Sequence, residues 1–299
     1  MALGALALAA PVSAAPRVST GAVHAMGIFN GSKDNGNGNG HGGGGKRTSN
    51  LAYQGGAVEV TPKVYLVLFG SQWTGNDPSG EASLLQSFLG KVGGSSWNNI
   101  VIQYCQGVLS GTTSCTGLGG TPVGNPSGVY AGTWTDSTTA APSSPSQSQL
   151  AAEAVRAAAH FGNTTSGSNA SSQYVIATAT GNNASGFGTQ YCAWHSSTSS
   201  SYGNVAYTNL PYITDAGTSC GANFGGLGLN AGITIVEGHE FAETETDQFP
   251  NGGWLDGSGS EIGDKCAWST ATSNQTLNGT AFPVQPLWSN AASGCVLIY

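Results

Sequence analysis

The chain is short of charged residues of either sign. Only 8% of its 299 residues are Asp, Glu, Lys or Arg, whereas an ordinary globular protein carries about 25%. A surface that is polar but uncharged is typical of a secreted protein. The formal net charge is -7 and the sequence has no basic stripe, so we do not expect nucleic acid as a partner.

Long apolar runs are also missing. No stretch reaches the ~18 apolar residues that a membrane-spanning helix needs, so we expect no membrane partner. The shorter N-terminal run MALGALALAAPVSAAP ends in Val12-Ser13-Ala14. This run is similar to the apolar region and cleavage site of a secretory signal, although it lacks the usual positive residues. Residues 1–14 are therefore predicted to be a signal-peptide-like segment of an extracellular protein.

Residues 15–50 contain a run of Gly and Asn, residues 30–45, that cannot form a packed core. They are rich in Gly and Asn, which predicts a disordered leader. A leader of this kind could cover a functional site until it is cleaved, for example near Lys46-Arg47. Residues 51–299 are long enough for one secreted, catalytic-like domain.

Six cysteines are present, an even number that favours three disulfides in an exported chain. Pairing between sequence neighbours is the simplest arrangement, but the sequence alone does not fix it. That arrangement would join Cys105 to Cys115, Cys192 to Cys220, and Cys266 to Cys295.

Hydrophobic periodicity predicts alternating strands and helices. The predicted strands are residues 63–70, 100–104, 174–180, 205–213 (at a sheet edge because of Pro211) and 295–299. The predicted helices are residues 81–92, 149–161 and 232–248, and residues 106–147 are expected to be a long loop region. The fold class is therefore α/β (or α+β), a single domain with a central mixed sheet, flanking helices and disulfide-stapled loops.

The few acidic residues are concentrated. Eight of the 15 lie between residues 237 and 264, where carboxylates would repel one another unless solvent or a cation neutralised them. They are Glu237, Glu240, Glu243, Glu245, Asp247, Asp256, Glu261 and Asp264.

Within this window, His239-Glu240-Phe241-Ala242-Glu243 has the spacing of a metal-binding helix. Residues four apart lie on one helical face, so His239 and Glu243 can bind one ion together. Glu240 would lie beside that ion, where it could act as a general base towards a metal-bound water.

The motif resembles the H-E-x-x-H helix of zincin metallopeptidases, with Glu243 in place of the second His. With the following Gly253-Trp-Leu-Asp256 turn and the acidic segment before Cys266, it is also similar to secreted bacterial relatives of the phosphate-induced, Exordium-like family. An early strand (residues 64–73) and Cys192-Ala-Trp-His195 fit the same family. This resemblance implies a secreted α/β protein with a metal-dependent site.

A catalytic zinc ion needs a third protein ligand. Asp264 is the first candidate, because a disulfide at Cys266 would fix its position, and Glu261 is the second. Asp247 lies two turns after His239 and could bind the ion or orient a ligand. His195 is a further candidate, as a ligand or as a catalytic donor.

The sequence leaves alternatives open. The acidic helix could be a solvated face, or residues 256–261 could form a structural calcium site. Glu240 with Asp264, or Glu243 with Asp247, could act without metal as the carboxyl dyad of an acid-acting peptidase or glycosidase. The protein could also be a non-catalytic extracellular or wall-associated protein.

Taken together, the residues predict a secreted zinc-dependent peptidase that acts on protein or peptide substrates as a monomer. The predicted metal ligands are His239, Glu243, Asp264, Glu261 and Asp247, and the predicted catalytic residues are Glu240 and His195. Zn²⁺ is the expected cofactor, with Ca²⁺ as the alternative structural ion.

Overall fold

A computed structural model describes residues 19–30 and 49–299, and these ranges contain four α-helices and fourteen strands. The helices are α1 (Glu81–Val92), α2 (Gln147–His160), α3 (Ser166–Asn169) and α4 (Ala231–Thr246). The strands are β1 (Ser19–Gly27), β2 (Ala52–Tyr53), β3 (Lys63–Phe69), β4 (Cys105–Gln106), β5 (Thr121–Pro122), β6 (Tyr130–Asp136), β7 (Ser172–Thr178), β8 (Tyr191–Ser200), β9 (Gly203–Leu210), β10 (Trp254–Leu255), β11 (Ser273–Leu277), β12 (Thr280–Val284), β13 (Leu287–Ser289) and β14 (Gly294–Val296).

Six strands form one mixed sheet in the order β1-β8-β9-β7-β3-β6. Strands β9, β7, β3 and β6 run parallel, while β8 is antiparallel to β9 and β1 is antiparallel to β8. The predicted fold class is thus confirmed: a single compact α/β domain with a central mixed sheet.

Helices cover both faces of the sheet. The side chains of each strand alternate in direction, so a strand with apolar residues throughout presents an apolar surface on each face. On β3, Leu66 packs into the core cluster shared with α1 and α4, whereas Val67 packs into the cluster shared with α2. Both faces of β3 and β7 are therefore apolar, which explains why their sequences were recognisable as buried strands.

The predicted disulfide pairing is confirmed at all three positions. Cys105 bonds to Cys115, Cys192 to Cys220, and Cys266 to Cys295. The second bridge ties β8 to the 3₁₀ helix Ile213–Cys220, just before α4. The third ties the short 3₁₀ helix Asp264–Cys266 to β14, so one bridge holds the segment at the start of α4 and the other holds the segment that contacts Glu243 near its end. Disulfides of this kind are compatible with an extracellular protein.

The N-terminal region differs from the prediction. Residues 15–50 were expected to be disordered, yet β1 lies within them and forms an edge strand paired with β8. Met26 is fully buried, which gives this strand a hydrophobic anchor that a composition argument does not detect. Residues 1–18, with the predicted signal segment, and residues 31–48 lie outside the described ranges.

Three further predictions were wrong in part. Residues 100–104 lie mostly in a 3₁₀ helix (Asn98–Gln103), because a short apolar run fits either a strand or a helical turn. The predicted loop region 106–147 contains β6, a polar edge strand. Strand β9 lies inside the sheet rather than at its edge, since it ends at Leu210, before Pro211.

Among the residues that the structure describes, no helix combines the length and the apolar character needed to cross a bilayer.

Candidate metal centre

Helix α4 carries the H-E-x-x-E motif and is buried over its whole length, between the sheet on one side and α1 and β12 on the other. Two glycines allow this close packing. A Cβ at Gly232 would lie 1.9 Å from the Cys220 carbonyl oxygen, and a Cβ at Gly238 would lie 3.3 Å from Phe88 and from Trp97. The acidic residues of α4 are thus not a solvated face, and that alternative is excluded.

The first metal-binding group contains His239, Glu243 and Asp264. His239 Nε2 lies 3.0 Å from Glu243 Oε1 and 3.8 Å from Asp264 Oδ1. The Asp264 backbone amide donates a 2.9 Å hydrogen bond to Glu243 Oε1, which fixes the segment after β10 against α4. The structure thus brings together the two helix residues and the first-choice third ligand.

Gln285 and Gly263 support this group, and sequence reasoning identified neither residue. The Gln285 Oε1 atom lies 3.3 Å from His239 Nδ1, and Gln285 Nε2 donates to the Gly263 carbonyl at 2.9 Å. In the neutral imidazole, a hydrogen bond from His239 Nδ1–H to Gln285 directs the Nε2 lone pair towards the carboxylates, where a metal ion would replace the second proton. Metal-binding histidines are oriented in this way by their second nitrogen.

Gly263 makes the close contact between the loop and the helix possible. A Cβ at this position would lie 2.7 Å from His239 Nδ1 and 2.9 Å from Glu243 Oε1. We expect Gly263→Ala to weaken metal binding by about 10- to 100-fold, the effect typical of disturbed outer-shell partners, while the chain stays folded. Metal titration with circular dichroism as the folding check measures both quantities. Gly257→Ala is the matched control, since a Cβ there meets nothing within 4 Å; equal affinity in both variants would contradict the role of Gly263.

His195 on β8 faces α4 from the sheet. Its Nδ1 lies 3.1 Å from Glu240 Oε2 and 3.7 Å from Glu243 Oε2, and its Nε2 lies 3.6 Å from Glu261 Oε1. His195, Glu243 and Glu261 form a second group that could hold a metal ion, and all three are fully buried. The predicted candidates His195 and Glu261 therefore lie at the site.

Strand β1 adds a histidine that the prediction had assigned to a disordered leader. Residue His24 pairs in register with His195, and its Nδ1 lies 3.1 Å from Glu261 Oε2. His24, Glu261 and Asp264 form the third group. The Met26 backbone amide donates a 3.3 Å hydrogen bond to Glu240 Oε1, so β1 also covers the predicted general base.

The three groups share residues and form one histidine–carboxylate cluster. It consists of His24, His195, His239, Glu243, Glu261 and Asp264. Several buried atoms in it have no hydrogen-bond partner, among them His195 Nε2, His239 Nε2 and Glu243 Oε2. Such orphaned atoms are costly without a partner, and a cation would satisfy them. The buried residues of this cluster could therefore hold a metal ion.

The histidines and carboxylates of the cluster shift one another's pKa values. Burial raises the pKa of Glu243 well above its usual value, against the opposing charge of His239. Burial also acts to lower the pKa of His239, but the carboxylate of Glu243 outweighs this effect and raises it to about 10. For Glu261, the charges of His195 and His24 overcome the effect of burial and hold the pKa well below its usual value. A metal would compete with protons for these nitrogens.

Asp247 has a local structural role. The Asp247 carboxylate accepts hydrogen bonds from the amides of Asn251, Gly252 and Gly253, and Asp247 belongs to none of the three groups. Its predicted role as a ligand is therefore not supported. The predicted carboxyl dyad of Glu243 and Asp247 is not supported either, because the Asp247 carboxylate already accepts three backbone hydrogen bonds.

The predicted calcium segment is also engaged within the protein. Asp256 binds Lys265 Nζ at 2.8 Å and accepts bonds from Ser258 and Ser260. In the segment 256–261, for which a calcium site was the alternative, the first carboxylate, Asp256, is thus neutralised by Lys265. The last carboxylate, Glu261, belongs to the histidine–carboxylate cluster.

Comparison with protein-family models, with curated proteins and with solved structures gives no match. The resemblance to zincins and to the Exordium-like family therefore stays a prediction from the sequence.

Proposed function

We propose that the protein is an extracellular metal-dependent peptidase. A divalent ion, Zn²⁺ in the first instance, is held by His239, Glu243 and Asp264, and Glu240 is the general base. The observation that carries this proposal is the convergence of three ligand types on one buried point: His239 Nε2 lies 3.0 Å from Glu243 Oε1 and 3.8 Å from Asp264 Oδ1.

The donor set supports zinc over calcium. An imidazole nitrogen and carboxylate oxygens are ligand types that zinc accepts, although catalytic zinc with three protein ligands usually has two histidines, and such sites keep a further position for water. Calcium prefers six to eight oxygens and has little affinity for imidazole. A bound zinc ion supplies Lewis acidity and lowers the pKa of water to ~7.

The residues of the chain supply the proton transfers. Glu240 follows His239 directly and is held at 3.1 Å from His195 Nδ1. Its carboxylate accepts the proton of the attacking water, and the His195 imidazole beside it holds this carboxylate in place through Nδ1. General base catalysis of this kind contributes about 10²- to 10⁴-fold to the rate.

Access to the site requires a movement of β1. Glu240 is fully buried, and one of its oxygens accepts the Met26 amide. The exposed surface cavity lined by Leu84, Leu229 and Pro283 contains no residue of the histidine–carboxylate cluster. A peptide substrate must therefore take the place of β1 beside β8, as an extended chain that adds to a sheet edge.

The test is a casein hydrolysis assay combined with elemental analysis. We expect the purified chain to contain zinc, to hydrolyse casein, to lose this activity in a chelator and to regain it when Zn²⁺ is added back. Because β1 covers Glu240, a second chain that begins at residue 49 is assayed beside the full chain. Zinc-loaded, folded protein that hydrolyses casein in neither form would contradict the proposal.

A non-catalytic role is the second candidate, supported by the complete burial of His239 and Glu243. Structural metal sites are closed to solvent and stabilise the fold outright. In that case, removal of the metal would lower the melting temperature, while the loaded protein would be inactive towards casein at any pH.

A further inference from the structure

We propose that the centre binds two divalent cations, bridged by Glu243, rather than one. The second ion is held by His195, Glu261 and the far oxygen of Glu243. This inference rests on the metal-binding site of the proposed function, but not on its peptidase activity.

The first observation is the separation of the histidines. Each of the three groups formed by residues 19–30 and 49–299 contains one histidine, and no group contains two. Ligand nitrogens on a single zinc ion lie ~2.0–2.1 Å from it, and so within about 4.2 Å of one another. The arrangement of the side chains favours separate ion positions over one ion shared by several imidazoles.

The second observation is the orientation of Glu243. Its Oε1 lies 3.0 Å from His239 Nε2 and its Oε2 lies 3.7 Å from the His195 ring at Nδ1, and one ligand atom each of His195, Glu243 and Glu261 lie within 4.8 Å of one another. A carboxylate whose two oxygens face two different histidines is placed to bridge two ions. Ions in two-metal hydrolytic sites are ~3.5–4 Å apart, a distance that one carboxylate can span.

The third observation concerns the atoms that a single ion at His239 would leave unsatisfied. His195 Nε2 and Glu261 Oε1 are fully buried, lie 3.6 Å apart and make no hydrogen bond, whereas Glu261 Oε2 has His24 Nδ1 at 3.1 Å. The Nδ1 atom of His195 faces Glu240, so a hydrogen bond there leaves the Nε2 lone pair directed towards Glu261. A carboxylate behind a histidine is the usual outer-shell partner of a metal ligand.

Charge balance points the same way. Glu240, Glu243, Glu261 and Asp264 place four carboxylates around the two positions. Two divalent cations match four deprotonated carboxylates in charge, whereas with a single ion the protons held by the neighbouring histidines and carboxylates have to supply the rest of the balance. Buried charges without a partner are strongly destabilising. His24 approaches Glu261 Oε2 at 3.1 Å and acts as a positioning residue for this ligand.

The experiment is a metal count on the full-length protein. The chain is stripped with a chelator, dialysed, saturated with Zn²⁺ and analysed for metal per polypeptide. We expect two ions per parent chain, one per His195→Ala chain and one per Glu261→Gln chain. His160→Ala is the control, because His160 stacks on Trp134 away from the cluster, and it should keep two ions.

A spectroscopic measurement covers the case in which a variant fails to fold. Replacement of zinc by Mn²⁺ or Co²⁺ in the parent protein should give an electron paramagnetic resonance spectrum with spin coupling between two ions a few ångströms apart. A parent that binds one ion without coupling overturns the second position and leaves the single-ion peptidase intact. A parent that binds none overturns both, and two ions retained in folded His195→Ala protein overturn the residue assignment.

Discussion

Replacement of Glu240 by glutamine should lower kcat for peptide hydrolysis by about 10²- to 10⁴-fold, the contribution typical of a general base. Glutamine has nearly the same size and keeps an oxygen that can accept the Met26 amide, which now bonds to Glu240 Oε1. It cannot take up a proton from water. The ion at His239, Glu243 and Asp264 should stay bound, because Glu240 belongs to none of the three metal-binding groups.

The matched control is Glu245→Gln. Glu245 lies on the same helix, is fully buried and would undergo the same change, but its carboxylate accepts from Asn98 rather than from any residue of the cluster. Steady-state casein hydrolysis and zinc content are measured for the parent and both variants. Unchanged turnover in zinc-loaded Glu240→Gln would remove Glu240 from the mechanism, and an equal loss in both variants would indicate a general effect of altered charge.

The elements that were predicted correctly are those with strong hydrophobic periodicity. Helix α1 was predicted with its observed bounds, because Leu85, Phe88 and Leu89 form one apolar face. Strand β3 is apolar on both faces. In contrast, β8 was not recognised as a strand because half of its residues are Ser or Thr, of which Ser196 and Thr198 are nevertheless buried in the folded sheet. Their burial depends on the neighbouring strands, which no local pattern encodes.

Some residues of the candidate site could likewise be predicted from local sequence patterns, and others could not. The spacing of His239 and Glu243 on one helix is local, and a disulfide at Cys266 indicated where Asp264 would lie. His24 could not be found by such reasoning, because it is separated by 237 residues from Glu261, which it contacts. Gly263 and Gln285 act through close packing and through a hydrogen bond to His239. Both roles depend on how the chain after α4 folds back against this helix, so no local pattern in the sequence indicates them.

Removal of the metal should destabilise the protein by an amount that grows as the pH rises from about 5.5 to 8.5. In the metal-free chain, the pKa of His239 and that of His24 are raised to about 10 by carboxylates, against the effect of burial. Burial raises the pKa of Asp247 to about 7 and that of Glu243 well above its usual value. The folded metal-free state therefore holds more protons than the unfolded state throughout this range.

The sign follows from that difference in bound protons. Stability falls with rising pH wherever the folded state binds more protons than the unfolded state. The contribution of the histidines is complete below pH ~6.5 and is lost towards pH 10, and that of Asp247 is lost between pH ~4 and 7. Metal binding has the opposite dependence, because it requires deprotonated ligands and releases their protons. The two effects together increase the difference in free energy of unfolding between the metal-loaded and metal-free proteins as the pH rises.

Thermal unfolding with excess Zn²⁺ or with a chelator, at four pH values between 5.5 and 8.5, measures this gap. Zinc at ~1,000 times its dissociation constant stabilises by about 4 kcal/mol. That corresponds to a difference in Tm on the order of 10 °C for a domain of this size. The double variant His239→Ala, His195→Ala, which loses an imidazole from each of the two metal-binding groups, should show almost no difference between zinc and chelator at any pH. A gap in the parent protein that stays constant or narrows towards pH 8.5 would mean that the buried imidazoles and carboxylates neutralise one another by sharing protons, without a metal.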